Sequence, residues 1–212
     1  MPFDLPYGTL LSYNPRGGGD LGAKSRRVCG SIKRPVPEVI SKAFEYLQKP
    51  VSRDLREFLG ADAVLVPVPR SSPLVDGAAW PSKVIADLLC HEGFGSEVLP
   101  CIQRVHAVKK SSSSEGRDRP DVETHYQSFS VSTEIFLFPP QTIILIDDVL
   151  TQGRTTVACA RRIQDAFPES EVKVFAVVRT LGFRDIERIV DPAVSHIKYH
   201  ASGKTFREGP EE

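Results

Sequence analysis

The sequence predicts an α/β fold, a parallel, Rossmann-like sheet with helices on both faces. Two apolar runs point to it, Ala63-Val-Leu-Val-Pro-Val-Pro69 and Ile143-Ile-Leu-Ile146. Neither alternates with polar residues as a strand with one wet face would, so each reads as a strand buried on both sides. Apolar residues at helical spacing follow both runs: Trp80, Val84, Ala86, Leu88 and Leu89 after the first, and Val157, Ala160, Ile163 and Phe167 after the second. A strand followed by a helix is the repeating unit of a parallel sheet. A chain of 212 residues holds one such domain with a substantial core and a small elaboration, not two.

In chain order, residues 7–33 read as two strands, Gly8 to Tyr13 and Arg27 to Ile32, joined by a glycine-rich turn through Arg16 to Asp20. Pro35 to Leu47 reads as a helix with Val39, Ile40, Ala43, Phe44 and Leu47 on one side. Residues 1–60 are thus expected to form a hairpin-and-helix extension packed on a core spanning 61–200. A further strand is expected at Ser195 to His200, followed by a polar, frayed tail over 201–212.

The most informative segment is Ile143-Ile-Leu-Ile-Asp-Asp-Val-Leu-Thr-Gln-Gly-Arg-Thr155. A buried strand delivers two adjacent carboxylates, Asp147 and Asp148, and then a short turn whose Gly153 can take dihedrals closed to other residues. Because the helical period starts next, Thr151 to Thr155 forms the loop that opens a helix, where unpaired N–H groups and the helix dipole favour an anion. Thr151, Thr155 and Thr156 add hydroxyl donors. The two aspartates repel phosphate but suit a diol or a magnesium-bound sugar, since carboxylates accept paired hydroxyl bonds and favour hard cations. Loop and acids together describe a pocket for a ribose 5-phosphate.

This segment resembles the phosphoribosyl-diphosphate (PRPP) binding motif of the type I phosphoribosyltransferases: an aliphatic strand, two acidic residues, two apolar residues and a small Thr/Gly-rich loop. The resemblance implies that Asp147 and Asp148 hold the ribose hydroxyls, with Val149, Leu150, Thr151, Gln152, Gly153, Arg154 and Thr155 completing the PRPP-binding stretch. Gln152 stands where a small residue is usual. Val66-Pro-Val-Pro69 followed by a basic residue resembles the pyrophosphate loop of the ComF-like branch, which implies roles for Pro69, Arg70, Ser71 and Ser72. Strand ends of an open α/β sheet can hold opposite ends of one elongated ligand.

Between Arg104 and Pro120 lies a polar, basic, serine-rich stretch that cannot bury a core. Type I enzymes carry a closing loop at this place in the chain, so Lys109, Lys110, Arg117 and Arg119 are its candidate cations, with Lys109 and Lys110 counted with Arg70, Asp147 and Asp148 as catalytic. A hood that selects the nucleophile is implied within 1–60 or 181–200. Magnesium is the implied cofactor, bridging diphosphate and ribose oxygens at Asp147 and Asp148. The hypoxanthine-guanine group has an Asp base where this chain has Thr151, which cannot take a proton at neutral pH, so a 6-oxopurine is disfavoured as acceptor. The expected partners are PRPP and an unidentified acceptor, such as a nucleobase. The alternatives are a catalytically silent PRPP sensor and a ComF-like adaptor associated with nucleic acid, and a homodimer is left open.

Composition narrows the classes further. Lys plus Arg and Asp plus Glu both number 27, so no global basic field draws in nucleic acid, although Arg16, Lys24, Arg26, Arg27, Lys33 and Arg34 face the single acid Asp20 within 16–34. Cys29, Cys90, Cys101 and Cys159 contain no Cys-x-x-Cys pair and are expected as reduced thiols; the amino-terminal zinc motif frequent in ComF-like proteins is not in the sequence. No signal-like amino terminus and no apolar run of roughly 20 residues is found, so a cytoplasmic protein without membrane spans is expected. Ser202-Gly-Lys-Thr205 lacks the first glycine of a phosphate-binding Walker loop, and His196 and His200 have too few companions to hold a metal.

Overall fold

A computed structural model describes residues 3–16, 18–75, 77–108, 120–134, 139–182 and 185–209. Its centre is a seven-stranded sheet. The strands are β1 (Phe3–Tyr13), β2 (Val64–Pro67), β3 (Glu97–Val98), β6 (Thr142–Leu150), β7 (Glu171–Thr180), β8 (Val190–Tyr199) and β9 (Thr205–Arg207), in the order β3-β2-β6-β7-β1-β8-β9. Pairings from β3 to β1 are parallel, whereas β8 on β1 and β9 on β8 are antiparallel. A separate two-stranded antiparallel ladder joins β4 (Ile102–Arg104) to β5 (Phe129–Val131).

The helices are α1 (Gly19–Lys33), α2 (Pro37–Phe44), α3 (Arg53–Leu59), α4 (Pro81–His91), α5 (Val122–Gln127) and α6 (Arg154–Ala166). They divide between the two faces because successive strand residues point opposite ways. Ile143 and Leu145 join Val157, Cys159, Ala160 and Ile163 of α6 in one core, together with Val122 of α5. Ile144 and Ile146 join Ile32 of α1, Ile40 and Phe44 of α2, Leu55 of α3 and Ile85 and Leu89 of α4 in the other. Each of the four β6 residues is fully buried, which is worth about 1.5–3 kcal/mol per side chain. The unbroken aliphatic run is the signature of this two-sided burial.

Three expectations are corrected. Arg27 to Ile32 is not the second strand of a hairpin but part of α1, whose buried Gly22, Ser25, Cys29 and Ile32 recur at helical intervals. Nor is the amino-terminal segment an addition laid on a finished sheet: β1 is an inner strand between β7 and β8, in register with Val174 to Thr180 on one side and Val190 to Tyr199 on the other. The expected tail carries β9, which pairs with Ile197 to Tyr199 and continues into a bond from the Tyr7 hydroxyl to the Glu208 carbonyl, 2.7 Å. Local sequence gave no sign of it, because the partner strand supplies the order. Among the described residues no helix is long and apolar enough to cross a membrane.

Candidate functional site

From β2 the chain crosses through α4 to β3 on one side; from β6 it crosses through α6 to β7 on the other. The strand order therefore reverses between β2 and β6, and the crevice at the carboxyl ends of such a pair is where open α/β sheets bind ligands. Both expected motifs leave the sheet there. Pro67 is in register with Ile146, and Val68 N donates to the Ile146 carbonyl at 2.9 Å, so Pro69 to Ser72 departs beside Asp147.

The strand runs further than the sequence suggests. Asp147 and Asp148 lie inside β6, which pairs with β7 as far as Leu150 opposite Arg179. The acids are half-buried, as is Val149, while Leu150 is buried. Asp148 N donates to Asp147 Oδ1 at 2.9 Å and Val149 N to Asp148 Oδ1 at 2.8 Å, so each carboxylate takes up the next backbone donor. Burial, followed by the charge of Asp148, pushes the Asp147 carboxyl well above the usual carboxylate range, and Lys33 offsets this only in part. The acid pair thus carries more negative charge than its surroundings balance, a site suited to hydroxyl donors or a hard cation.

Thr151 and Gln152 are exposed, Gly153 is buried, and Arg154 and Thr155 are half-buried in the first turn of α6. Gly153 is the N-cap residue, with φ +77°. A Cβ there would lie 2.7 Å from Ile197 Cδ1 and 3.0 Å from Ile197 Cγ2. Only glycine meets both demands, the left-handed backbone and the close approach of β8. It offers no side chain to cap the helix, so the first-turn amides and the positive end of the dipole face the crevice. Thr156 Oγ1 turns back to the Gly153 carbonyl, 2.9 Å, and stiffens the turn. A pocket open to solvent is lined by Asp147, Val149 and the residues from Leu150 to Thr156.

Pro69 is buried and Arg70, Ser71 and Ser72 are half-buried beside this pocket without lining it. Lys109, Lys110, Arg117 and Arg119 lie outside the described residues. Of the polar segment, Arg104 ends β4 and is buried: its Nε donates to the Arg70 carbonyl, its Nη1 to Ser128 Oγ, and its guanidinium lies 4.1 Å from the Phe129 ring centroid. Burial lowers it to about 10.

Three further groups escaped sequence reasoning. His125 on α5 is 2% exposed and reaches the turn that opens α6, with Nε2 3.5 Å from Thr155 Oγ1. Arg207 on β9 donates through Nη1 to the Leu150 carbonyl at 3.0 Å and through Nη2 to the Thr180 carbonyl, tying the ends of β6 and β7 from the carboxyl terminus. Lys33 at the end of α1 brings the positive charge that faces Asp147. Arg104 closes the short strand β4; the other three are separated from their partners by 27 residues or more and left no local trace. All four cysteines are free thiols. No model of a known protein family matches this sequence, and no curated protein matches it significantly.

Proposed function

We propose that this protein binds PRPP with magnesium in the manner of a type I phosphoribosyltransferase and transfers the phosphoribosyl group to a nucleophile other than a 6-oxopurine. The observation that carries the reading is the placement of Asp147 and Asp148 on β6, and of the Gly153 turn that leads from it into α6, at the point where strand order reverses, beside the Pro69 to Ser72 loop. On this reading the acids hold the ribose hydroxyls and the Thr151 to Thr155 turn holds the 5-phosphate. The diphosphate extends toward Arg70, Ser71 and Ser72. The bond from ribose C1 to the diphosphate oxygen breaks as the acceptor adds, and the chain contributes mainly positioning and charge stabilisation. Lys33 makes α1 a candidate for the hood over the acids.

The acid pair fits magnesium by donor type, since both groups are hard oxygens. Among the described residues no group of three or more His, Cys, Asp or Glu side chains gathers to hold a metal. The ion would therefore be held largely by ligand oxygens, with Asp147 and Asp148 supporting it. Calorimetric titration of magnesium and PRPP into the wild type and an Asp147→Asn/Asp148→Asn variant tests the reading. Binding by the wild type and none by the variant supports it; equal binding by both, or none by the wild type, refutes it.

A second reading, a ComF-like adaptor, is favoured by one feature: Arg16, Lys24, Arg26, Arg27, Lys33 and Arg34 are all exposed on or beside α1. An adaptor should bind single-stranded DNA with an affinity that falls steeply with salt.

A further inference from the structure

A histidine is buried against the first turn of α6. His125 stacks on Phe129, ring centroids 6.4 Å apart and planes 15° from parallel. The end of α5 that carries it is fixed: Ser128 Oγ donates to the His125 carbonyl at 2.6 Å and accepts from Arg104 Nη1 at 2.5 Å. The imidazole is aimed at Thr155, which lines the pocket, while its Nδ1 is buried with no hydrogen-bond partner among the described residues.

The two neutral tautomers differ in consequence. With the proton on Nδ1, a buried N–H would have no acceptor, and Thr155 would have to use its single O–H on Nε2. With the proton on Nε2, Nδ1 keeps only an unpaired acceptor, which buried protein tolerates better than an orphaned N–H. Nε2–H then donates to Thr155 Oγ1, and the threonine's own hydrogen is left to donate into the pocket. The charged groups around the ring are Arg104 on β4, Arg154 on α6 and Asp121 at the start of α5. Burial first and Arg104 second push His125 down to about 4, with Asp121 opposing, so the ring is neutral at physiological pH.

We propose that His125 is a positioning residue, held as the neutral Nε2–H tautomer, that turns the Thr155 hydroxyl hydrogen toward an anionic group bound at the Thr151 to Thr155 turn. The donor role assigned to Thr155 rests on the reading of that turn as a phosphate site; the tautomer does not.

Two measurements separate these. Long-range ¹H–¹⁵N spectra of the unliganded wild type at pH 7 read the tautomer directly, and the Nε2–H form is expected. Titration of ribose 5-phosphate then compares wild type with His125→Gln, His125→Asn, Thr155→Val and Thr155→Ser. The side-chain amide nitrogen of glutamine reaches the place of Nε2, that of asparagine the place of Nδ1. His125→Gln and Thr155→Ser are expected to bind within about threefold of wild type, and His125→Asn and Thr155→Val about tenfold more weakly, the scale of one hydrogen bond. The His125→Asn/Thr155→Val double variant should bind no more weakly than Thr155→Val alone. If His125→Asn does not fold, the tautomer and the Thr155 pair still decide. An Nδ1–H tautomer, or His125→Gln binding as weakly as His125→Asn, overturns the role of His125. Thr155→Val binding like wild type overturns the donor role. A wild type that binds no ribose 5-phosphate removes the anion site itself, whatever the tautomer.

Discussion

Replacing Gly153 by alanine tests whether the turn that opens α6 is shaped by tertiary packing as well as by its own sequence. The residue sits at φ +77°, and its missing Cβ would lie 2.7, 3.0 and 3.3 Å from three side-chain carbons of Ile197. Holding a non-glycine residue in the left-handed region costs roughly 1–2 kcal/mol, and forcing a methyl into a filled space adds about 1–3 kcal/mol. Ile197 Cδ1 can swing aside, so the sum falls at about 2–4 kcal/mol rather than at the upper limit. For a domain of this size each kcal/mol moves Tm by about 2–4 °C, which gives a fall of roughly 4–16 °C. Urea unfolding with an unchanged slope would assign the loss to the folded state. The packing share can be isolated with Ile197→Val, which removes the atom at 2.7 Å but keeps the two farther ones. The double variant should recover at least about 0.5 kcal/mol relative to additivity, while the dihedral share remains. An alanine variant within about 0.5 kcal/mol of wild type would refute the strain. A strictly additive double variant would refute the contact with β8.

Further outcomes follow from the same geometry. Burial and the charge of Asp148 raise the folded-state pKa of Asp147, so the ionised carboxylate is less favourable in the folded protein than in the unfolded chain. Its destabilising contribution grows as pH rises from about 4, the unfolded value, toward the folded value. Asp147→Asn should therefore raise Tm at pH 7–8, with the gain vanishing near pH 4, while abolishing ribose 5-phosphate binding; a lowered Tm at pH 7 would contradict the burial. Asp191 accepts from Arg179 Nη2, from Ser12 Oγ at 2.6 Å and from Arg188 Nε at 3.0 Å, and the Arg179 side chain is only 3% exposed. Asp191→Ala should cost about 3–5 kcal/mol in urea unfolding, because it strands that guanidinium, whereas Arg179→Met/Asp191→Leu should cost clearly less. Arg207→Met should cost about 1.5–3 kcal/mol and weaken ribose 5-phosphate binding, since the Leu150 carbonyl it holds directly precedes Thr151; unchanged binding by calorimetry would show that β9 does not brace the turn.

Much of the site was legible because its signals are short-range. An aliphatic run, two acids and a glycine before a helical period state a buried strand, an adjacent pair of carboxyl groups and a left-handed turn within thirteen residues, from Ile143 to Thr155. The same holds for Val64 to Pro67 and for the faces of α2, α4 and α6. Where local patterns conflicted, the reading failed. Arg27 to Ile32 carries β-branched residues at strand spacing but folds as helix because Cys29 and Ile32 belong to a face that buries against the sheet.

The sequence by itself determined the α/β class, the acid pair and the glycine-led helix start, since each depends on burial pattern and backbone freedom within one or two elements. Only the tertiary structure decided that β1 would enter the sheet between β7 and β8, that β9 would close its edge, and that Ile197, Arg207 and His125 would meet the end of β6 and the turn that opens α6. Those partners stand 30 to 57 residues from the positions they contact. Their pairing is set by strand order and packing, which no stretch of neighbouring residues encodes.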